Sequence, residues 1–188
     1  MALTSILVVC TGNVCRSPAA EGFLRRELAA RFGATAPSVS SAGTMGWEGS
    51  GATPESVRAS AERGVDIAGH RARMLTPAQV TDAGLVVAMA RDHVDRILAT
   101  TPDAADKMFT LKELVRLLEE LAPAGSPDER IAQAAARRAS GGVPPGDDDV
   151  ADPLGEPLAV YRAMAAELED RSRRLVAGLA PARAGAPA

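Results

Sequence analysis

The sequence is poor in aromatic residues, in cysteine and in long apolar runs, and each shortage excludes a class of protein. Aromatic residues make up 3% of the 188, so a core has to be built mainly from Ala, Val, Leu and Ile. Cys10 and Cys15 are the two cysteines, too few for a secreted domain held together by disulfides. The apolar run near residue 6 is too short to span a membrane and lacks the basic flank of a signal peptide. We therefore expect a protein of the reducing cytoplasm.

The net charge and the length of the chain exclude further classes of protein. The formal net charge is -3 and the sequence pI is about 5.5, so there is no basic surplus to attract nucleic acid or a membrane surface. A chain of 188 residues with 46% hydrophobic content can bury one sizeable core. We expect a single domain over residues 1–180 and a flexible tail at 181–188. The oligomeric state is left open.

Apolar runs alternate with helical patterns along the chain, which predicts an α/β fold with three layers, an open parallel sheet flanked by helices. Strands are predicted at Ile6–Val9, Pro37–Ala42, Gly84–Met89 and Met108–Thr110. Helices are predicted at about 18–32, 54–63, 75–80, 91–99, 111–121 and 157–179. Residues of about 123–147 contain few large apolar side chains and are expected to form a surface insertion with one helix at most, not a second domain.

The segment V-C-T-G-N-V-C-R-S-P, from Val9 to Pro18, joins the first predicted strand to the first predicted helix. Backbone N–H groups in such a loop can converge on an anion, supported by the positive end of the helix dipole. Gly12 and Asn13 tolerate the positive φ that a concave loop needs, and Arg16 can bind two oxygens with its planar fork. The nucleotide motif G-x-x-x-x-G-K-[ST] is absent. The loop is therefore predicted to bind phosphate or a similar oxyanion.

Cys10 lies at the floor of this loop. A helix N-terminus and a neighbouring arginine favour the thiolate form of a cysteine, which suits nucleophilic attack on phosphorus. Ser17 could donate a hydrogen bond to that thiolate and help it leave in a second step. The alternative is that Cys10 is a small buried residue at the end of a strand.

Displacement at phosphorus also needs an acid to protonate the leaving oxygen. Asp152 is the candidate, because Pro153 and Gly155 form a rigid turn that could hold its carboxyl over a pocket. The alternative is an ordinary turn-initiating Asp before Pro. The preceding residues 147–149 are three aspartates, which we interpret as solvated loop charges.

These features together resemble the low-molecular-weight protein tyrosine phosphatase family, and the resemblance covers nearly the whole chain. The matching stretches are Val9–Pro18, Ser41–Thr44 with Trp47, Gly64–Arg73, Ala88–His93, Phe109–Leu114 and Asp152–Gly155. The resemblance implies a four-stranded parallel sheet of order 2-1-3-4 and a phosphocysteine intermediate. It implies no metal and no cofactor. The implied substrate is a phosphorylated protein or peptide, and inorganic phosphate should also bind the loop.

The resemblance also implies roles for individual residues. Cys10 would be the nucleophile, Arg16 the clamp on the phosphoryl oxygens, and Asp152 the general acid and then the base. The implied phosphate-binding and supporting residues are Thr11, Gly12, Asn13, Val14, Cys15 and Ser17, then Ser41, His70, Trp47 and Leu154. Asn13 would keep a left-handed conformation through bonds to Ser17, Ser41 and His70. Cys15 would protect an oxidised Cys10 by forming a reversible disulfide.

Some of these roles have plainer alternatives. His70 could be a structural histidine, Cys15 a small packed residue, and Trp47 either a core residue or an exposed aromatic one. Arg91, Asp92 and His93 are predicted to form a solvated helix start.

Two positions depart from the tyrosine-specific pattern and bear on the substrate. Leu154 stands where such members often carry a tyrosine, so aromatic stacking on the substrate ring would be absent. Val14 stands where the similar protein arginine phosphatases carry a threonine, and an aliphatic residue there favours a phosphate monoester. Arsenate reductases share the fold and loop, but their thioredoxin-coupled form needs cysteines outside the loop, which this chain lacks.

We therefore predict a cytoplasmic cysteine-dependent phosphatase that acts on phosphotyrosine. The alternative enzyme is a protein arginine phosphatase. The alternative of another class is a phosphate-binding module without catalysis, which the presence of Cys10, Arg16 and Asp152 opposes.

Overall fold

A computed structural model describes residues 3–141 and 146–180 and contains a four-stranded parallel sheet. The strands are β1 (Ser5–Cys10), β2 (Ser38–Gly43), β3 (Leu85–Ala88) and β4 (Met108–Thr110). Their order in the sheet is β2-β1-β3-β4, and each neighbouring pair is parallel. The predicted fold class and strand order are confirmed.

Seven α-helices are described: α1 (Arg16–Phe32), α2 (Pro54–Ala61), α3 (Pro77–Asp82), α4 (Arg91–Leu98), α5 (Leu111–Glu120), α6 (Pro127–Ala139) and α7 (Leu158–Leu179). Short 3₁₀ turns occur at Gly33–Thr35 and Pro102–Lys107. Helix α1 begins two residues before the predicted start at Pro18, because proline fits within the first turn of a helix. Within the described residues, none of the helices combines the length and apolar character needed to cross a bilayer.

The side chains of β1 divide between two apolar layers, as expected for a strand with both faces covered. Ile6, Val8 and Cys10 belong to a larger cluster with α1, α5 and α7. Leu7 and Val9 belong to a smaller cluster with α3 and α4. The central strands β1 and β3 therefore end between two helical layers, at the edge of the sheet where parallel α/β proteins bind ligands.

The predicted insertion contains α6, which is joined to the rest of the domain by a buried arginine. Arg130 is 2% exposed. Its guanidinium donates to the carbonyl oxygens of Leu118 (2.8 Å) and Ala122, at the end of α5, and to that of Gly178 in the last turn of α7. Carbonyls at helix C-termini lack partners within the helix and carry partial negative charge, so a cation is stabilised there. This side chain joins the insertion to α5 and α7, beside the buried apolar residues Ile131, Ala134 and Ala135 of α6.

Candidate active site

The predicted phosphate loop lies where the first strand meets the first helix. Cys10 is the last residue of β1 and Arg16 is the first of α1. The Cys10 sulfur is buried and lies 2.9 Å from the Ser17 hydroxyl. This geometry places the sulfur at the positive end of the α1 dipole, beside a hydroxyl that can donate a hydrogen bond to it.

Four carbonyl groups of the loop accept hydrogen bonds from backbone N–H groups of the segment 44–53 of the same chain. Thr44, Met45, Trp47 and Thr53 donate their N–H groups to the carbonyls of residues 10, 11, 12 and 14 over 2.9–3.0 Å. Within the described part of the chain, the backbone N–H groups of residues 11–15 have no hydrogen-bond acceptor. The loop is therefore a ring of free donors, the arrangement that binds a tetrahedral oxyanion.

Asn13 holds the loop in shape through a left-handed backbone with φ of 58°. Its amide nitrogen donates to the hydroxyls of Ser17 and Ser41, both at 2.8 Å. Its side-chain oxygen accepts from the N–H of Arg73 at 2.9 Å. The Nε2 of His70 lies 2.8 Å from the Asn13 carbonyl, and it must donate because a carbonyl only accepts. Burial lowers the pKa of His70, which favours a neutral ring.

Arg16 reaches across the mouth of the loop and is 5% exposed. Its Nη2 donates to the Asp152 carboxylate at 2.5 Å and to the Thr11 hydroxyl at 3.3 Å, and its Nη1 donates to the Val150 carbonyl at 3.2 Å. Its Nε is buried and has no partner among the described residues. An entering dianion would therefore find one unsatisfied donor and would compete with Asp152 for another.

A small pocket of about 60 Å³ opens above the sulfur. Its walls include Trp47, which is 50% exposed, and Leu154, which is 45% exposed. Trp47 is thus an exposed aromatic residue on the wall of the pocket and not a core residue. The remaining lining residues are Cys10, Thr11, Gly12, Val14, Cys15, Arg16 and Asp152.

Cys15 is the last residue of the loop before α1, and its sulfur lies 3.6 Å from the Thr53 hydroxyl. Burial raises the pKa of this thiol, so it stays protonated at neutral pH. Both cysteines are free in the structure.

His93 is a site residue that the sequence interpretation missed, and the prediction that it is solvated was wrong. The side chain is 3% exposed, and its Nε2 lies 3.0 Å from the Thr11 hydroxyl. Burial and the nearby Arg16 guanidinium lower the pKa of His93 to about 4, so the ring is neutral at neutral pH. Helical spacing could have revealed it, because His93 and Ile97 lie four residues apart on the buried face of α4.

The prediction that residues 147–149 are solvated charges was wrong for Asp148. That carboxylate is buried and accepts from Arg91 at 3.0 Å and from Arg116 at 2.9 Å. Asp147 is exposed as expected, and Asp149 accepts from the N–H of Arg91 at 2.7 Å, at the start of α4.

The fold and the site define a class of protein. A parallel α/β sheet presents, at its carboxyl edge, an oxyanion-binding loop with a cysteine at its floor and an arginine at its mouth, the architecture of cysteine-dependent phosphatases. Within residues 3–141 and 146–180, no group of three His, Cys, Asp or Glu side chains lies close enough together to hold a metal ion.

Comparison with known proteins identifies the family. Residues 5–122 match the family model described as low molecular weight phosphotyrosine protein phosphatase. The chain belongs to this family. A protein-arginine-phosphatase of Geobacillus stearothermophilus is 36% identical over 170 residues, covering 90% of this chain and 92% of the relative. A probable low molecular weight protein-tyrosine-phosphatase, EpsP of Ralstonia solanacearum, is 38% identical over 112 residues, covering 60% of this chain and 73% of the relative.

Solved structures agree with this assignment. The low molecular weight protein tyrosine phosphatase from T. tengcongensis has a TM-score of 0.70 at 34% identity and covers 92% of this chain and 97% of its own. The YwlE arginine phosphatase from Geobacillus stearothermophilus has a TM-score of 0.68 at 35% identity and covers 92% of this chain and 90% of its own. The chain is thus similar over most of its length both to a tyrosine phosphatase and to an arginine phosphatase.

Proposed function

We propose that the protein hydrolyses phosphotyrosine in a phosphorylated protein or peptide through a phosphocysteine intermediate. The observation that carries the proposal is the position of the Cys10 sulfur below the ring of free N–H groups, in the same small pocket that Arg16 lines. A phosphoryl group bound by those donors has its phosphorus directly above the nucleophile. The reducing cytoplasm that we expect for this protein would keep the Cys10 sulfur reduced and out of disulfides.

In the first step the loop N–H groups and Arg16 bind the phosphoryl oxygens and stabilise the charge of the transition state. The Cys10 sulfur forms a bond to phosphorus as the bond to the tyrosine oxygen breaks. Asp152, which lines the same pocket, donates its proton to that leaving oxygen. The ion pair with Arg16 must loosen for this, because the carboxyl has to be protonated and must face the leaving group.

In the second step Asp152 accepts a proton from water as the water attacks phosphorus, and the sulfur leaves as a thiolate. The Ser17 hydroxyl, 2.9 Å from that sulfur, can donate a hydrogen bond to the leaving thiolate. Arg16 and the loop N–H groups neutralise the phosphoryl oxygens in both steps, so this route calls for no metal or cofactor.

Two substitutions test the chemistry. Hydrolysis of nitrophenyl phosphate should be abolished in Cys10→Ser and inhibited by vanadate in the wild type. A Cys10→Ser protein that retained full activity would rule out the phosphocysteine route. A wild type that bound vanadate but hydrolysed no aryl phosphate or phosphopeptide would instead favour the phosphate-binding module.

Phosphoarginine is the second candidate substrate, because the match to the Geobacillus stearothermophilus arginine phosphatase spans 90% of this chain. Two residues of the pocket bear on the choice. Val14 is buried in the loop and has no hydroxyl with which to orient water, which favours the monoester. Leu154 offers an apolar wall without an aromatic ring to stack on tyrosine.

Rates on phosphotyrosine, phosphoserine and phosphoarginine peptides of one sequence would distinguish the candidates. We expect the highest kcat/KM on phosphotyrosine and a shift toward phosphoarginine in Val14→Thr. A wild type that preferred the phosphoarginine peptide would make phosphoarginine the first candidate substrate and phosphotyrosine the second. An unchanged preference in Val14→Thr would show that this side chain does not select the substrate.

A further inference from the structure

The loop that carries Asp152 is anchored by a buried carboxylate. We call residues 146–157 the acid loop. The Asp148 side chain is 6% exposed and accepts from Arg91 of α4 and Arg116 of α5. Arg91 also lies 3.3 Å from the carboxylate of Glu113, which is itself buried. A carboxylate that is withdrawn from water needs such partners, so the loop is held where α4 and α5 place their arginines.

The next two residues, Asp149 and Val150, also attach the acid loop to the rest of the domain. The N–H of Val150 donates to the Met89 carbonyl at the end of β3 over 2.8 Å, and the Val150 carbonyl accepts from Arg16 at 3.2 Å. The backbone oxygen of Asp149 accepts from Lys112 at 2.6 Å. Residues 148–150 are therefore tied to a strand end, to two helices and to the arginine of the phosphate loop.

Asp152, two residues further on, is much less constrained by its own contacts. Its side chain is 45% exposed, and its partners are Arg16 and the N–H of Leu154 in its own turn. A phosphoryl group would compete for the Arg16 contact. The position of the Asp152 carboxyl during the reaction then depends on how firmly the neighbouring residues 148–150 are held.

We propose that Asp148 is a positioning residue for Asp152. Its ion pairs with Arg91 and Arg116 hold the acid loop so that the Asp152 carboxyl reaches the leaving-group oxygen above Cys10. The inference rests on the proposed function, because it assumes that Asp152 is the general acid.

The chemistry of the leaving group provides a readout that a purely structural role would not change. As the sulfur–phosphorus bond forms and the phosphorus–oxygen bond breaks, a poor leaving group needs a proton from Asp152. A dinitrophenolate is stable enough to leave without that proton. Misplacing the acid should therefore slow phenyl phosphate strongly and dinitrophenyl phosphate weakly.

The experiment measures kcat/KM, which reports phosphoryl transfer to the enzyme, for dinitrophenyl, nitrophenyl and phenyl phosphate. Asp148→Asn removes the charge of the buried carboxylate at nearly constant size. Asp147→Asn is the matched control, because the Asp147 side chain is 87% exposed and pairs with Lys112. Asp152→Asn is the reference for complete loss of the acid.

We expect Asp152→Asn to lose about 100-fold or more on phenyl phosphate, and Asp148→Asn about tenfold on phenyl phosphate but less than about threefold on dinitrophenyl phosphate. Asp147→Asn should match the wild type on all three substrates. Suppose that Asp152→Asn depends on the leaving group as expected. An Asp148→Asn protein whose kcat/KM fell equally on all three substrates, or on none of them, would then overturn the inference. If Asp152→Asn showed no dependence on the leaving group, the assignment of the acid would fail and the inference with it.

Two measurements keep this result distinct from misfolding. Vanadate inhibition, which needs only the phosphate loop, should have the same constant in Asp148→Asn as in the wild type. Arg116→Gln keeps the Arg91 contact to Asp148 and should show a smaller loss with the same dependence on the leaving group. An Arg116→Gln protein whose losses were uniform across the series would contradict the role of the anchor.

Discussion

Replacing His93 by glutamine should make the stability of the protein less sensitive to acid. The pKa of His93 falls from 6.5 to about 4 in the folded protein, because the ring is buried beside the Arg16 guanidinium. The carboxylates of Asp92, Asp149 and Asp152 act in the opposite direction without overcoming burial. Between these two pH values the unfolded chain binds a proton that the folded protein does not, so stability falls as the pH falls.

The magnitude follows from the two pKa values. At pH 7 the ring is largely neutral in both states and contributes little. At pH 5 the unfolded histidine is mostly protonated and the folded one mostly neutral, which costs about 2 kcal/mol of unfolding free energy. Glutamine can keep a hydrogen bond to the Thr11 hydroxyl but does not titrate.

Urea unfolding of the wild type and of His93→Gln at pH 5, 6 and 7 measures this effect. The wild type should lose about 2 kcal/mol more than the variant between pH 7 and pH 5. His70 is present in both proteins, so its own contribution cancels in the difference. Parallel losses in the two proteins would show that His93 is protonated in the folded state and would refute the reasoning.

Three further predictions concern the loop and the insertion. Asn13→Ala should lower the free energy of unfolding by about 2–4 kcal/mol, because alanine disfavours the φ of 58° and three side-chain hydrogen bonds are lost; an unchanged urea midpoint would contradict this. Arg130→Met should cost about 2–4 kcal/mol by the same assay, because one buried and two partly buried carbonyl groups lose their donor, while activity well below the unfolding transition stays unchanged. Cys15→Ser should make inactivation by excess peroxide irreversible to dithiothreitol, because the sulfenic acid of Cys10 could no longer condense with a neighbouring thiol and release water, and a second peroxide would oxidise it to the sulfinic acid; full recovery of the variant would exclude that protective role.

The phosphate loop could be predicted because its parts are neighbours in the sequence. Cys10, Asn13 and Arg16 lie within one strand–turn–helix unit, where short-range backbone geometry decides which groups face inward. The alternation of apolar runs and helical patterns likewise indicated the α/β class. Asp152 could be nominated from its turn chemistry, but its 2.5 Å contact with Arg16 joins residues that are 136 positions apart.

The fate of isolated charged and titratable side chains could not be predicted in the same way. His93 meets Thr11 across 82 positions, and Asp148 meets Arg91 across 57. A run of three aspartates has the sequence pattern of a solvated loop. One of them can be buried only where cations from other parts of the chain pair with it. Helices α4 and α5 supply those cations, Arg91 and Arg116. The sequence of the loop alone does not indicate that these arginines lie close to it.

The sequence by itself determined the chemistry of the loop and the layering of the domain, because both follow from local backbone preferences and from the periodicity of apolar residues. Only the tertiary structure decided which polar side chains are buried and what they contact. The physical reason is that a charge can be withdrawn from water only where partners from distant elements converge on it. The carboxylate of Asp148 and the guanidinium of Arg130 meet such partners on other helices, and the neutral ring of His93 meets Thr11 in the phosphate loop.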